Sequence, residues 1–117
     1  RVQSHEHFER EGNDIYCVIP ISITQASLGA EIFVPSLDDK RIKVKIPAGT
    51  QNGKILRIRS EGVPFLNNPN RRGDMYVKVL VEVPNKLSSK EKDLMKELLS
   101  MLGEEDYPEP IKLSELR

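Results

Sequence analysis

Several segments of this chain alternate apolar and polar residues with a period of two, and a proline follows each of them. In Arg41–Ile46, isoleucine and valine side chains alternate with cationic ones, and Pro47 comes next. Met75–Val83 has the same pattern and is followed by Pro84. A period of two predicts strands with one buried face, and proline stops strand pairing because it has no N–H to donate. The chain is therefore constrained to a mostly β fold, in which Met75–Val83 is the predicted central strand.

Ile15–Thr24 is a further predicted strand, with its odd-numbered residues on the buried face. Cys17 lies on that face and is interpreted as a small buried hydrophobic residue. Pro20 predicts that the strand lies at a sheet edge or is bulged there. Gln25–Leu28 follows and predicts a single helical turn, since it is too short for a longer helix.

Two hairpins are expected between the strands. Leu37–Lys40 predicts a two-residue turn, in which aspartate replaces the usual glycine. In Lys43–Pro64, two alternating segments flank a loop that contains Gly49 and Gly53, and we expect these segments to pair with each other. Phe65–Arg72, rich in asparagine and proline, predicts a mobile loop.

After Pro84 the apolar period changes from two to 3.6, which predicts an amphipathic helix. Ser88 and Glu91 have the spacing of a capping box, and Gly103 is a natural stop. The apolar stripe of this helix consists of Leu94, Met95, Leu98, Leu99, Met101 and Leu102. A helix of this length must bury its stripe on another surface. Its partner is either the sheet of this domain or the same helix of a second copy, and the sequence favours neither.

Composition limits the classes of function. The 117 residues suit one domain, and the start at Arg1 predicts a fragment of a larger protein. Eighteen basic and eighteen acidic residues cancel, which argues against nucleic-acid binding. No apolar run approaches the roughly 20 residues of a membrane span. The single Cys17 cannot form an internal disulfide, and we expect a cytoplasmic location.

The sequence contains no pattern that supports catalysis or metal binding. It has no phosphate loop, no HExxH, no CxxC and no nucleophile elbow. His5 and His7 lack a third well-spaced ligand and are interpreted as exposed linker residues. A rival hypothesis makes Cys17 a nucleophile with one of these histidines as its base, which requires an accessible thiolate. We predict that the chain is not an enzyme and holds no metal.

Surface side chains suggest binding instead. Three outward apolar side chains without a predicted partner form a candidate substrate-binding patch: Tyr16, Val18 and Phe33. Cationic side chains cluster between residues 40 and 59, and the candidate docking face consists of Lys43, Lys45, Arg57 and Arg59. This face either binds an acidic peptide or is an ordinary solvated strand face whose lysines prevent edge pairing.

Three stretches carry a resemblance to a known family. They are the opening V-x-x-H-x-x-F-x-R-x-G-x-D, the string IYCVIPISITQASLGAEIFVPSLDDKRIKVKIPAGTQNGKILRIRSEGVP, and RRGDMYVKVLVEVPNKLSSKEKDLMKELL. Together they closely resemble the C-terminal part of the DnaJ co-chaperone family, over residues 1 to about 102. Asp39 departs from the glycine usual in the family's turn. The tail from Glu104 onward has no counterpart in this resemblance.

The resemblance implies a small antiparallel β-sandwich of the DnaJ C-terminal peptide-binding type, with one short helical turn and a C-terminal helix. It implies these divisions: 1–14, the end of a preceding domain or a linker; 15–85, the sandwich; 86–103, a dimerisation helix; and 104–117, an acidic, proline-containing tail. The dimerisation residues would be Leu94, Met95, Leu98, Leu99 and Leu102.

The resemblance also implies a function. DnaJ proteins hold unfolded polypeptides and deliver them to a DnaK-type chaperone in protein folding and the stress response. The HPD tripeptide that stimulates the chaperone's ATPase is absent from this sequence, as are the cysteine pairs of the family's zinc-binding region. We expect no cofactor in this fragment. The expected partners are a second copy, a DnaK-type chaperone and unfolded polypeptides. The alternative is a structural spacer that sets the distance between two arms of a dimer without touching clients.

Overall fold

In the computed structural model, which describes residues 6–103 and 108–115, the chain forms eight strands and two α-helices. It divides into two compact units, Arg1–Pro84 and Asn85–Arg117. The strands are β1 (Glu9–Glu11), β2 (Asp14–Ser22), β3 (Ala30–Pro35), β4 (Arg41–Ile46), β5 (Ile55–Ile58), β6 (Pro64–Phe65), β7 (Asn68–Arg72) and β8 (Met75–Glu82). The helices are α1 (Ile23–Leu28) and α2 (Ser89–Leu102).

The main sheet has the strand order β1-β2-β8-β5, and β8 lies inside it as predicted. β2 pairs in parallel with the whole of β8, from Ile15 to Ser22, whereas β5 is antiparallel to β8. β1 covers only the start of β2, opposite Asp14 to Tyr16. Beyond that point β2 is an edge strand, which accommodates Pro20 as its missing N–H requires.

The smaller sheet consists of β3 and β4, paired in antiparallel register. The loop that joins them is longer than the predicted two-residue turn, because the Ser36 amide donates to the Lys40 carbonyl and leaves three residues between them. Asp39 takes the left-handed position at φ 60°, as in three-residue hairpin loops. The buried Ser36 hydroxyl accepts from the amides of Asp38 and Lys40, which fixes this loop.

The hairpin predicted between the two segments of Lys43–Pro64 is wrong. β4 pairs with β3, and β5 pairs with β8, so the connection between β4 and β5 crosses from one sheet to the other. The Gly49 amide donates to Ala26 in α1, and the Gly53 amide donates to Val79 in β8. The same alternation and glycine spacing suit either a hairpin or such a crossing. The choice depends on which neighbours the strands find in the folded chain.

The two sheets pack their inner faces together to form the core. Inner-face residues of β2 and β8 meet those of β3 and β4 in one hydrophobic cluster. Cys17 is buried in this cluster as predicted, and Phe8 joins it from the segment before β1. The largest fully buried side chains are Ile15, Val34, Ile46, Met75, Val77 and Val79. The predicted mostly β sandwich with a short helical segment and a C-terminal helix is confirmed.

Residues 64–72 form a hairpin, β6–β7, and the prediction of a loop there is wrong. Arg71 lies over the Phe65 ring with its guanidinium carbon 5.1 Å from the ring centroid. Arg72 donates from Nε to the Gly62 carbonyl at 2.9 Å and from Nη1 to Asp38 at 2.8 Å. These contacts stabilise a pairing that the asparagine-rich sequence does not suggest.

The start of β2, the start of β8 and the segment after β5 meet in one backbone junction. Asn13 accepts from the Val63 amide at 2.8 Å, and its side chain donates to the Val63 and Pro64 carbonyls. Asp14 Oδ1 accepts from the Asp74 amide at 2.7 Å. The Gly62 amide donates to the Gly73 carbonyl at 2.9 Å. This hydrogen-bond set, which we call the junction, fixes the register of β2 against β8.

Asp74 adds an ionic contact to the junction. Its carboxylate accepts from the Ser60 amide at 3.0 Å and from Arg57 Nε at 2.8 Å. The Ser60 amide and the Arg57 guanidinium hold the pKa of Asp74 below its usual value, since both favour the ionised form. Ser60 itself has a φ of 64°, an uncommon conformation for serine.

The second unit contains α2 and a short 3₁₀ turn, Leu113–Glu115. The predicted capping box is confirmed: the Ser88 hydroxyl accepts from the Glu91 amide, and the Glu91 carboxylate accepts from the Ser88 amide. Gly103 ends the helix in the left-handed conformation. The tail residues 104–107 and 116–117 lie outside the described residues, and the predicted domain bounds stay predictions.

Gly73→Ala should destabilise the first unit severely. A Cβ atom at Gly73 would overlap the backbone of Asn13, and backbone cannot move aside as a flexible side chain does. We expect a loss of about 3 kcal/mol in the free energy of unfolding, measured by urea denaturation. Gly12→Ala is the control, because its Cβ meets nothing within 4 Å and only its left-handed backbone costs about 1 kcal/mol. Equal losses in both variants would contradict the close approach at the junction.

Asp74→Asn should remove an acid-sensitive part of the stability. A carboxyl group whose folded pKa is lowered stabilises the protein above its unfolded pKa of about 3.9 and loses this effect as the pH falls through the lower folded value. The variant should therefore be less stable at pH 7 and lose less stability on acidification. Thermal unfolding between about pH 7 and pH 2 measures this. Asp93→Asn, in α2, is the control, and a parent-like pH profile in Asp74→Asn would refute the role of Asp74.

Candidate binding surfaces

The sandwich separates the outward side chains into two faces that point in opposite directions. Residues alternate between inner and outer faces along each strand, and the inner faces of both sheets meet in the core. The outer face of the main sheet is therefore on the opposite side of the first unit from the outer face of β3–β4. The predicted site residues divide between these two faces.

Tyr16 and Val18 lie on the outer face of the main sheet, in β2. Val18 is 56% exposed. Tyr16 is half-buried because its ring stacks on that of Tyr76, with 5.0 Å between centroids and 14° between planes. Desolvation and the neighbouring carboxylates of Glu11 and Asp14 raise the pKa of the Tyr16 phenol, which therefore stays neutral. Tyr16 thus has an aromatic partner that the sequence did not reveal.

Phe33 lies on the outer face of β3–β4 and is 58% exposed. Its register partner on β4 is Lys43. The three residues predicted to form one apolar patch are therefore split, with Tyr16 and Val18 on one face and Phe33 on the other. Substrate binding by any of them stays a prediction.

The four cations of the predicted docking face are also split. Lys43 and Lys45 alternate along the outer face of β4, whereas Arg57 lies in β5 and Arg59 just after it. Lys43 makes an exposed ion pair with Glu31 at 3.9 Å, which contributes little to stability. Arg57 is engaged by Asp74 at 2.6 Å, which raises the pKa of its guanidinium. Arg57 is thus part of the junction, and Lys43 and Lys45 are left as the more available cations.

The apolar stripe of α2 is solvent-exposed throughout. Every one of the five predicted dimerisation residues is at least 37% exposed, and Leu102 reaches 63%. The residues are Leu94, Met95, Leu98, Leu99 and Leu102. Side chains of this kind are usually buried in soluble proteins, so the stripe is a candidate interaction surface.

Two exposed apolar residues on the outer face of the main sheet were not part of the predicted patch. Ile55 is 54% exposed and Leu80 is 45% exposed, and both lie on the outer face of the main sheet with Val18. Leu80 occupies an outward position of the predicted strand Met75–Val83, so its exposure followed from the alternation. Ile55 is also on the outward side of its alternating segment, since Leu56 and Ile58 point inward, and the pairing of β5 with β8 places it directly across from Lys78.

The described residues contain no recognisable catalytic or metal-binding arrangement of side chains. Burial raises the pKa of the Cys17 thiol, which disfavours the thiolate that a nucleophile requires. Within residues 6–103 and 108–115, no group of three or more His, Cys, Asp or Glu could hold a metal ion. His5 lies outside this part of the chain. The same described residues include no helix that is long and apolar enough to cross a membrane.

Comparison with known proteins identifies the fold family. The family model described as the DnaJ C terminal domain matches residues 1–84. The chain is 53% identical over 115 residues to the Chaperone protein DnaJ of Treponema denticola, covering 98% of this chain and 30% of that protein. It is 56% identical over 104 residues to the Chaperone protein DnaJ of Brevibacillus choshinensis, covering 89% of this chain and 27% of that protein.

These matches agree with the fold and with the resemblance noted in the sequence. The chain spans about 30% of the length of the curated relatives it matches. Members of the DnaJ chaperone family are generally not enzymes, and the absence of catalysis in this chain stays a prediction. The family-model match covers the whole of the first unit, and the described strands form the expected β sandwich. The chain belongs to the DnaJ C-terminal domain family.

Proposed function

We propose that this chain is part of a DnaJ-type co-chaperone, in which it binds unfolded polypeptides and dimerises in support of a DnaK-type chaperone. The observation that carries the proposal is the exposure of large apolar side chains on α2 and on both outer faces of the sandwich. Relatives that carry the name Chaperone protein DnaJ support it. The cytoplasmic location remains a prediction based on the single cysteine.

The apolar stripe of α2 supports dimerisation. A helix of 14 residues is about 21 Å long. Two such helices, packed stripe to stripe, would bury all five predicted dimerisation residues. Complete burial of a leucine or methionine contributes about 1.5–3 kcal/mol, and these side chains are already partly buried. We therefore expect a dimer that dissociates within the range of protein concentrations at which its mass in solution can be measured.

The outer face of β3–β4 supports binding of an acidic peptide as a second candidate function. Phe33 lies between cationic side chains there: Lys43 directly across, with Arg41 and Lys45 at the neighbouring outward positions of β4. Glu31 is the acidic member of this face. An exposed ring among cations suits a peptide with an apolar side chain next to carboxylates.

Leu98→Asp should separate the proposed dimer into monomers. The change removes a central side chain of the stripe and places a charge where the partner helix would pack. A cost of about 3 kcal/mol is expected, which weakens dimerisation about 100-fold. Sedimentation equilibrium over a range of concentrations measures the dissociation constant.

Ser100→Asp is the matched control for the dimer. It adds the same side chain two residues further on, about 200° around the helix from Leu98. We expect its dissociation constant to stay close to that of the parent chain. An unchanged dimer in Leu98→Asp would show that α2 does not form the dimer interface. An equal effect of both variants would show that the interface does not depend on the apolar stripe.

Phe33→Ser should weaken binding of unfolded polypeptides or acidic peptides to the β3–β4 face by about three- to tenfold. Fluorescence anisotropy with a labelled, permanently unfolded polypeptide and with a glutamate-rich peptide gives both affinities. Leu66→Ser is the control, since Leu66 is fully exposed on the β6–β7 hairpin. A parent chain that dimerises but binds neither probe would instead support the structural spacer.

A further inference from the structure

The outer face of the main sheet has one cation surrounded by apolar and aromatic side chains. Lys78 lies on β8, with Val18 of β2 and Ile55 of β5 as its register partners on either side. These strand positions lie about 5 Å from it. Along β8, Tyr76 and Leu80 are the neighbouring outward positions, about 7 Å away. We call these five residues, Val18, Ile55, Tyr76, Lys78 and Leu80, the Lys78 cross.

Lys78 has no ionic partner within the described chain. The ion pairs there join Lys43 to Glu31, Arg57 to Asp74 and Arg72 to Asp38. Arg57, the nearest other cation on this face, is already neutralised by Asp74. Glu82 is two outward positions beyond Lys78 on the same strand, about 13 Å along β8. The ammonium of Lys78 is therefore exposed and uncompensated at the centre of the cross.

The apolar arms of the cross are accessible. Val18, Ile55 and Leu80 are each between 45% and 56% exposed. Contiguous exposed apolar surface of this kind is a common mark of an interaction site. A segment lying on it would cover Lys78 and reduce its contact with water. Covering an unpaired charge is unfavourable unless the segment brings an opposite charge.

We propose that Lys78 sets the specificity of this face, which binds unfolded polypeptide segments that have apolar side chains around one carboxylate. This inference rests on the proposed function and names the class of segment that is bound. A carboxylate at the centre pairs with Lys78 while its neighbours contact Val18, Ile55 and Leu80. A neutral centre leaves the ammonium uncompensated, and a cationic centre is repelled by it.

The test uses three peptides that differ at one position, Gly-Ser-Leu-Val-Xaa-Ile-Leu-Ser-Gly with Xaa as Asp, Asn or Lys. Titration of the full chain by isothermal calorimetry should give affinities in the order Asp, Asn, Lys, with about a threefold step between each. Raising the salt from about 50 mM to about 1 M should shrink these steps, because the charges are exposed. Methyl NMR shifts of Val18, Ile55 and Leu80 locate the peptide on the cross.

Variants of Lys78 separate its charge from its bulk. Lys78→Met should remove the preference for Asp over Lys, Lys78→Arg should retain it, and Lys78→Glu should reverse it. Lys45→Met, on the outer face of the other sheet, removes a cation elsewhere and should leave the order of affinities unchanged. Retention of the order in Lys78→Met would overturn the inference.

The outcomes distinguish this inference from the function on which it rests. If the parent chain binds none of the three peptides and no unfolded polypeptide, client binding itself fails. If it binds all three equally, client binding stands and the role of Lys78 fails. If Lys78→Met only increases self-association, measured by light scattering, Lys78 is a residue that prevents aggregation and the inference is wrong. A peptide that shifts methyl signals elsewhere also overturns it.

Discussion

The close contact between Asn13 and the backbone at Gly62 and Gly73 holds three parts of the first unit together. No Cβ fits at either glycine, so the start of β2, the segment after β5 and the start of β8 approach to backbone distance. The hydrogen bonds of Asn13 and Asp14 then determine the register of β2 on β8. A shift of one residue would move every buried side chain of β2 to the outer face. The core and both candidate binding faces therefore depend on this junction.

The register of β2 on β8 allows the two sheets to pack as a sandwich, and this packing determines which side chains remain accessible. Because the inner faces of the two sheets bury the apolar set in one core, the outward residues are divided between opposite surfaces. Phe33 with Lys43 and Lys45 forms one chemical environment, and Val18 with Ile55, Lys78 and Leu80 forms another. One small domain thus presents two surfaces of different charge and polarity. A segment that binds one of them would leave the other free.

Chemistry and exposure together favour binding over catalysis. The Cys17 thiol is buried and its pKa is raised, while the apolar residues of α2 and of the outer sheet faces are exposed. Exposed apolar side chains lower the solubility of a protein, so their presence on several surfaces needs a reason. Under the proposed function, contacts with a second copy and with unfolded polypeptides would be such reasons. They use the same hydrophobic driving force that forms the core.

The sequence alone determined strands β2, β4, β5 and β8, the prolines that follow several of the alternating segments, the central position of β8, the capping box at Ser88 and Glu91, and the family. These features depend on local periodicity and residue chemistry, which every segment carries with it. Tertiary structure decided the partners of each strand. Alternation and glycines in Lys43–Pro64 suited a hairpin as well as the observed crossing between sheets. The contacts of Arg72 and Phe65 stabilise a hairpin where the sequence predicted a loop. The Lys78 cross was equally hidden, because Val18, Ile55 and Lys78 come from three strands that only the fold brings into one row.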